Sequence, residues 1–428
     1  MIHTCSIAAI ILSALPVLSQ TAESIDLILA GGNQAQQRGQ FAEATKAYQA
    51  ALEAVGNKPE FLEFKARALN NIGSVSQAEG RYKDAESQLL EALAVYTRLG
   101  GRETMVAVTT IGNLGEVYRA QGKMAQAETI FRESLAIRER SLGRDNISVS
   151  YALNSLACLA NEQGKYEEAE GYIQRALAIR ERRNSADDLY LSTLLQNHGD
   201  NLQHLGRLEE AERLFERSLL IRERLLGPDH VQVAMIVGSL AALNQEKGDF
   251  VKSAKLYERT LELRRRTLPP GHPHIAITLS NMSILARSNA DLDSAESLNK
   301  EALAILERSI GTEHPIYATT LNNLAEVYGE REDFVRADPL FRQALAIWER
   351  LGVPSAKYAG CIANMGRLFA REGKSKAAEK FLKRAMEMQA SILGENSPEF
   401  VQTRNNLVML YRQERRFTEA VRLEHALR

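Results

Sequence analysis

Cysteine and proline are both scarce in this sequence, whose 428 residues include three cysteines and ten prolines. Cys5 lies near the N terminus, and Cys158 and Cys361 are five units apart in the periodic pattern described below, too far for a disulfide. A disulfide scaffold and a thiolate-rich metal site are therefore excluded. With 45% hydrophobic and 25% charged residues, the composition is that of an ordinary folded protein.

The chain also lacks an excess of either charge. It has 53 lysines and arginines against 54 aspartates and glutamates, which gives a formal net charge of −1 at pH 7. Binding to nucleic acid or to an anionic membrane is usually accompanied by a basic excess, so the composition favours neither partner.

Charge is absent from the N terminus, where no charged residue occurs before Glu23 and residues 5–19 form an apolar run. The run is short for a transmembrane helix, which needs about 20 residues, and suits the hydrophobic part of a secretory signal cut before Gln20. We expect a Sec-type signal peptide over residues 1–19, no stable membrane span, and an exported periplasmic or extracellular product. The first residues contain no Lys or Arg, so the alternative is a misassigned start or a terminal helix packed on the first repeat.

A single position recurs along the chain about every 42 residues, and we call its occupant the turn residue. The turn residues are Gly39, Gly80, Gly122, Gly164, Gly206, Gly248, Ala290, Glu332, Gly373 and Arg415. An alanine stands five residues after each of them, with Ser253 as the exception. Ten units in one register predict a repeat protein in which each unit packs on its neighbours.

Each unit is predicted to contain two helices. Apolar residues fall at helical spacing before the turn residue, as in residues 321–328, and again after it, as in residues 166–182. Glycine at the turn residue can adopt positive φ and end the first helix. Small residues on the first helix, such as Gly73 and Gly115, and the alanines on the second allow the two axes to approach closely. We therefore expect an all-α fold over residues 20–428.

At these positions the chain resembles the tetratricopeptide repeat (TPR) family, specifically its kinesin-light-chain-like type with a 42-residue repeat. The resemblance covers about residues 24–428 and is closest in SIGTEHPIYATTLNNLAEVY at 309–328. It implies a right-handed superhelical solenoid of about ten helix-turn-helix repeats, whose first helices line a concave groove. Because members of the family are mostly scaffolds, it also implies a protein or peptide partner.

One face of each first helix carries the candidate binding residues. Positions 13, 9, 6 and 2 before the turn residue share this face, because they are four, three and four residues apart, and we call it the stripe. The position nine before the turn residue is asparagine in seven repeats: Asn71, Asn113, Asn197, Asn281, Asn323, Asn364 and Asn406. An amide both donates and accepts, so such a ladder can bind the backbone of an extended peptide, as the resemblance also implies. Alternatively, the amides bond between neighbouring repeats and set the superhelix; the two interpretations need not exclude each other.

The other stripe positions vary between repeats, as a specificity surface would. The acidic residues are Glu116, Glu162, Asp200, Glu246, Glu326 and Glu330, the basic ones are Arg67, Arg367 and Arg371, and the apolar ones in the middle repeats are Met235, Ala242, Ile277 and Ile284. We expect a mixed or partly basic peptide with an apolar anchor to contact Met235, Ile277, Ile284, Glu326 and Arg367. The alternative is surface drift with no dedicated ligand.

Other recurring residues have structural explanations. An arginine stands eighteen residues after most turn residues, as at Arg140 and Arg350, where a cation in the last helical turn complements the helix dipole. His230, His272 and His314 recur in the connectors, one to a repeat, so they do not converge on a metal ion. Capping of the loops is the better interpretation of these histidines.

The sequence contains no arrangement that we interpret as a catalytic site, and we expect no metal and no cofactor. The main hypothesis is a non-enzymatic scaffold that binds a peptide or partner segment in the groove. The alternatives are a structural or self-assembling module and an accessory or sensor subunit for a separately encoded effector. Residues 417–428 form the last predicted helix and leave Val421, Leu423 and Leu427 uncovered. We therefore expect either fraying of this helix or self-association through the C-terminal repeat.

Overall fold

The computed structural model of the chain describes residues 21–37, 40–56, 58–182, 188–352 and 354–425, and in these residues it contains helices and no strand. The helices are α1 Ala22–Gln37, α2 Phe41–Val55, α3 Leu62–Ala78, α4 Tyr82–Arg98, α5 Met105–Ala120, α6 Met124–Leu142, α7 Ile147–Glu162, α8 Tyr166–Arg182, α9 Leu189–His204 and α10 Leu208–Leu226. They continue as α11 Val231–Glu246, α12 Phe250–Thr267, α13 Pro273–Ser288, α14 Leu292–Ser309, α15 Pro315–Glu330, α16 Phe334–Leu351, α17 Ala356–Arg371, α18 Ser375–Leu393, α19 Pro398–Gln413 and α20 Phe417–His425. A short 3₁₀ turn, Pro59–Phe61, precedes α3.

Within each unit the helices pack in chain order. In unit 1 consecutive helices from α1 to α6 pack on one another, as in α3 with α4, and in unit 2 consecutive helices from α8 to α20 do the same, as in α9 with α10. The chain forms two compact units, unit 1 over residues 1–159 and unit 2 over residues 160–428. The predicted all-α repeat fold is therefore confirmed in the described residues.

The turn residues occupy the left-handed region of backbone conformation, as the register predicts. Glycine has φ between +70° and +81° at Gly80, Gly122, Gly164, Gly206, Gly248 and Gly373. Three repeats adopt the same conformation without glycine, with φ of 60° at Ala290, 59° at Glu332 and 61° at Arg415. These three turns therefore have the same geometry as the others although they lack glycine, the residue that best tolerates positive φ.

The row of small residues five after the turn residue is buried throughout. Each alanine of the row from Ala44 to Ala420 is at most 1% exposed. Ser253, the exception in the row, is also fully buried, and its hydroxyl donates to the carbonyl oxygen of Ala241 at 2.8 Å. A buried hydroxyl is tolerated there because it has a partner.

The small residues of the odd-numbered helices lie under large side chains of the even-numbered ones. A Cβ added to Gly115 would lie 2.4 Å from the Phe131 ring, and one added to Gly199 would lie 2.5 Å from the Phe215 ring. Both rings are at most 1% exposed. Burial of such a side chain contributes about 1.5–3 kcal/mol, so the close approach predicted for the two helices is confirmed and stabilises each hairpin.

The connector histidines cap helices, in agreement with the sequence interpretation. His230 Nδ1 accepts from the backbone N–H of Gln232 at 3.1 Å, at the start of α11. In the same way, His272 Nδ1 accepts from the backbone N–H of His274 and His314 Nδ1 accepts from that of Ile316, at 3.2 Å each. The recurrence of these histidines therefore reflects the start of a helix in each repeat.

Inside unit 2, the turn at Gly164 touches a segment far away in the sequence. A Cβ added to Gly164 would lie 3.1 Å from the carbonyl oxygen of Leu393, the last residue of α18. Beside this contact the Tyr166 ring stacks on His204, with centroids 4.8 Å apart. Burial raises the pKa of the Tyr166 hydroxyl, and the charge of Glu399 raises it further. Residues 393–399 therefore lie against the turn between α7 and α8.

The predicted signal peptide, residues 1–19, and the first turn residue, Gly39, lie outside the described residues, as does Leu427. Within the described residues, every helix is too short or too polar to cross a lipid bilayer.

Candidate functional site: the stripe of the odd-numbered helices

The best-formed pockets lie on the stripe. In unit 1, a pocket of about 550 Å³ opens between α5 and α7. Stripe residues Thr109, Asn113, Glu116, Tyr151 and Ser155 form its walls, and Phe131, Ser134 and Arg138 of α6 form its floor. In unit 2, a smaller pocket of about 130 Å³ lies between α15 and α17. Its stripe residues are Glu326, Glu330, Asn364, Arg367 and Arg371.

Several stripe asparagines bond between neighbouring repeats. Asn113 Nδ2 donates to Asn70 Oδ1 at 2.9 Å, and Asn364 Nδ2 donates to Asn322 Oδ1 at 3.1 Å. In both cases the acceptor stands ten residues before the turn residue of the preceding repeat. Asn323 donates to Ser280 at 3.0 Å by the same rule. These amides help to fix one odd-numbered helix against the next.

The other asparagines of the row differ in whether their side chains have a hydrogen-bond partner. Asn71 donates to Asn33 at 2.9 Å, and Asn197 also has a partner. Asn281 and Asn406 are half-buried, and their side chains have no hydrogen-bond partner among the described residues. The row therefore combines contacts between repeats with amide groups available to a ligand.

The charged residues of the smaller pocket neutralise one another. Arg367 Nη2 is paired with Glu326, and Arg287 reaches both Glu326 at 3.5 Å and Glu330 at 2.7 Å. Glu326 is only 11% exposed. Sequence register places Glu326 and Arg367 on one face, and the structure shows in addition that they pair with each other.

The apolar stretch of the middle repeats remains accessible. Met235 is 39% exposed, and Ile277, Ile284 and Ala242 are half-buried. These residues belong to α11 and α13, which are neighbouring odd-numbered helices of unit 2. A bound chain could therefore bury apolar side chains against them.

Three repeats carry an acid six residues before the turn residue, with different surroundings. Glu116 accepts from Arg119 and from Ser155, each at 2.8 Å, and Glu326 is paired with Arg367. Asp200 on α9 is half-buried and has no hydrogen-bond partner among the described residues. Burial raises the pKa of the Asp200 carboxyl to about 7, and the charge of Arg222 only partly opposes this.

A row of buried arginines was missed from the sequence, although it follows the same register. Arg138, Arg180 and Arg222 stand sixteen residues after the turn residue and are 8%, 1% and 3% exposed. Each bonds to the start of the next odd-numbered helix or its cap, as Arg180 does with Asp188 at 2.5 Å. The signal was a cation repeated at a fixed offset on the buried side of an even-numbered helix.

Carboxylates six residues after the turn residue were missed in the same way. Glu379 accepts from Arg416 of the next repeat at 2.7 Å and from Tyr411 at 2.8 Å. Hydrogen bonds from Arg416 lower the pKa of Glu379 to about 2 although burial opposes the shift. Glu296 is held in a similar way by Arg331, and its pKa is also lowered to about 2, with the hydrogen bond from Lys300 the largest cause.

Among the described residues, no three His, Cys, Asp or Glu side chains are arranged to hold a metal ion. Cys361 is buried, which raises the pKa of its thiol, and Cys158 is half-buried. Burial and a raised pKa make Cys361 unreactive.

Stacked helical hairpins with pockets on one row of helices define an α-helical repeat protein. The chain belongs to the tetratricopeptide repeat family, since a model of that repeat matches residues 105–182, 190–266, 232–308 and 274–350, more than half of the chain. A second tetratricopeptide repeat model matches residues 66–103, 359–399 and 401–428. The predicted membership is thereby confirmed. Proteins of this family are non-enzymatic interaction scaffolds.

One solved structure supports the fold, and two others are similar to shorter parts of this chain. A Rap protein complexed with competence and sporulation factor is 16% identical, with a TM-score of 0.54 over 78% of this chain and 99% of that one. BtubC from P. vanneervenii is 22% identical, covers 55% of this chain and 91% of its own, and gives a TM-score of 0.43. Kinesin-light-chain TPR-like repeats from Podosopora anserina are 18% identical over 57% and 95% of the two chains, with a TM-score of 0.31. No curated protein matches the sequence significantly.

Proposed function

We propose that this protein is a non-enzymatic scaffold that binds an extended segment of a partner protein along the stripe. The observation that carries the proposal is the position of the pockets. The sequence register defines the stripe without reference to cavities, and both pockets are lined by stripe residues of neighbouring repeats. Concave sites with a few polar groups are where proteins usually take their ligands.

The chemistry of the stripe suits an extended chain. Asn281 and Asn406 offer amide groups to a peptide backbone, and Met235, Ile277 and Ile284 offer apolar surface to its side chains. Each net hydrogen bond contributes about 0.5–1.5 kcal/mol, so backbone contacts give affinity while the variable positions select the sequence.

Photo-crosslinking tests this proposal residue by residue. A photoreactive amino acid is placed at Thr109 in unit 1 or at Met235 in unit 2, both on the stripe. Matched controls carry it at Val251 and Val335, which are 70% and 86% exposed on even-numbered helices. Crosslinks to partner proteins are expected in native extract from the stripe positions and not from the controls, with the products identified by mass spectrometry.

Equal crosslinking from Val251 and Val335 would overturn the proposal, as would the absence of crosslinks from the stripe. A further position, Val421 on α20, addresses the self-assembling alternative. Phe417 and Val421 are 60% and 47% exposed, so they offer apolar surface to a second copy of the chain. Crosslinks from Val421 to a second copy of the chain, without partners on the stripe, would favour self-assembly.

A further inference from the structure

Asp200 is the acid six residues before a turn residue that has no hydrogen bond or ion pair among the described residues. At the equivalent position Glu116 accepts two hydrogen bonds, and Glu326 is paired with two arginines. Buried or half-buried carboxylates need such partners, because a carboxylate leaves water at a large free-energy cost. Two of the three acids at this register position meet that requirement within the fold, and Asp200 does not.

Arg222 is the cation that acts on Asp200, and its hydrogen bonds are used elsewhere. Its Nε donates to Ser192 Oγ at 2.6 Å, Nη1 to the Gln232 carbonyl oxygen at 2.9 Å, and Nη2 to Gln196 Oε1 at 3.0 Å. Arg222 is 3% exposed, so packing and these bonds fix it in place. Its charge is felt at Asp200, but its N–H groups do not bind there.

The Asp200 carboxylate can be reached from the stripe. The residue is half-buried, and neither of its oxygens belongs to the buried side-chain atoms without a partner. The stripe around it combines the polar residues Asn197, His204 and Glu246 with apolar ones. The next odd-numbered helix carries Met235 and Ala242 on this face, and the one after it carries Ile277 and Ile284.

We infer that Asp200 binds a lysine or arginine side chain of the partner segment, and that apolar side chains of the same segment lie on Met235, Ile277 and Ile284. This inference rests on the proposed function and names the chemistry of its ligand. Packed helix axes are about 8–10 Å apart and an extended chain advances about 3.3 Å per residue, so the apolar residues lie to one side of the basic one at intervals of about three residues.

A cation fits this position better than a neutral donor. Burial without a donor holds the pKa of Asp200 near 7, so the free carboxylate is poorly stabilised at neutral pH. An ammonium or guanidinium group supplies both the opposite charge and the missing hydrogen bonds, and such charge-assisted bonds are roughly twice as strong as neutral ones.

Peptide selection tests the inference. A displayed library of linear peptides of about twelve residues, long enough to span several repeats, is selected on the wild-type protein, on Asp200→Asn and on Asp293→Asn. Asn replaces Asp200 with almost the same shape and no charge. Asp293 is the control for loss of an acidic charge, because its side chain is 97% exposed on α14, where it is paired with Arg331. Lys and Arg should be enriched, with apolar residues about three positions away, on the wild type and on Asp293→Asn, and not on Asp200→Asn.

A synthetic peptide from the wild-type selection then gives a direct measurement by fluorescence anisotropy. Replacing its basic residue with Gln should weaken binding to the wild type by about tenfold and leave binding to Asp200→Asn unchanged. The substitution in the peptide needs no change in the protein, so it reads out Asp200 even if the variant folds poorly.

The outcomes separate this inference from the proposed function. Peptides that bind the stripe with the same basic content on the wild type and on Asp200→Asn would overturn the role of Asp200 and leave the scaffold proposal standing. If the enrichment of Lys and Arg were lost equally on Asp293→Asn, the cause would be a general effect of charge. That result would also overturn the role of Asp200. If no peptide is enriched on any of the three proteins, both proposals fail.

Discussion

Asn299 is a polar side chain at a core position. It stands nine residues after the turn residue, where seven other repeats place Leu89, Phe131, Ile173, Phe215, Tyr257, Phe341 and Leu382. It is 0% exposed, and neither its Oδ1 nor its Nδ2 has a partner among the described residues. An unsatisfied buried amide is costly, so this residue weakens the hairpin of α13 and α14.

We therefore expect Asn299→Leu to raise the free energy of unfolding by roughly 1–3 kcal/mol, because it removes two unsatisfied groups and adds apolar burial. Urea denaturation followed by circular dichroism measures the change. The reciprocal control is Leu382→Asn, at the same register position in another repeat, which should destabilise by a similar amount. Destabilisation by Asn299→Leu would mean that a buried water satisfies the amide in solution.

At this scale the sequence predicts positions and not pairings. The register placed the alanine row and the histidine caps correctly, because each depends on the position of a residue within the repeat. It did not predict that Glu326 pairs with Arg367, or that Asp200 has no donor. Those facts depend on the rotamers of neighbouring side chains, which a repeat register does not encode.

At the scale of the helical element, the turn between two paired helices connects them and also affects the stability of the hairpin. Ala290, Glu332 and Arg415 hold φ near +60°, which costs a residue with a Cβ about 1–2 kcal/mol. The periodicity alone located these turns, since the helices on either side end and begin at the same offsets as in the glycine-containing repeats. Packing of the two helices therefore imposes the turn conformation even where the local residue disfavours it.

Glycine at these turns should stabilise the protein. We expect Ala290→Gly and Glu332→Gly each to raise the free energy of unfolding by roughly 0.5–1 kcal/mol, the relief of strain being partly offset by the greater entropy of glycine in the unfolded chain. Thermal unfolding measures the effect. Glu332→Ala is the control, because it removes the carboxylate near Arg371 and keeps the Cβ. If Glu332→Ala stabilises as much as Glu332→Gly, the backbone is not the cause.

At the scale of the whole chain, the repeats build two units, and each hairpin contacts chiefly its neighbours. The contact of Gly164 with Leu393 inside unit 2 is different, because it joins segments more than five repeats apart. No motif in the sequence signals it. Such a contact depends on the small rotation from each repeat to the next, summed over several repeats, and that rotation is set by packing rather than by register.

Two turn glycines with matching backbone test this contact. Gly164 and Gly206 have φ of 70° and 71°, but a Cβ on Gly164 would lie 3.2 Å from Leu393 Cα, whereas one on Gly206 meets nothing within 4 Å. Both Gly→Ala variants should lose about 1–2 kcal/mol to backbone strain. Only Gly164→Ala should also speed hydrogen exchange in residues 393–400, because its methyl group pushes that segment away. Mass spectrometry of the exchanged peptides reads this directly, with the segment in Gly206→Ala as the reference. Identical protection of residues 393–400 in the two variants would contradict the expected displacement of that segment, because a methyl group 3.1 Å from the Leu393 carbonyl oxygen requires its neighbours to shift.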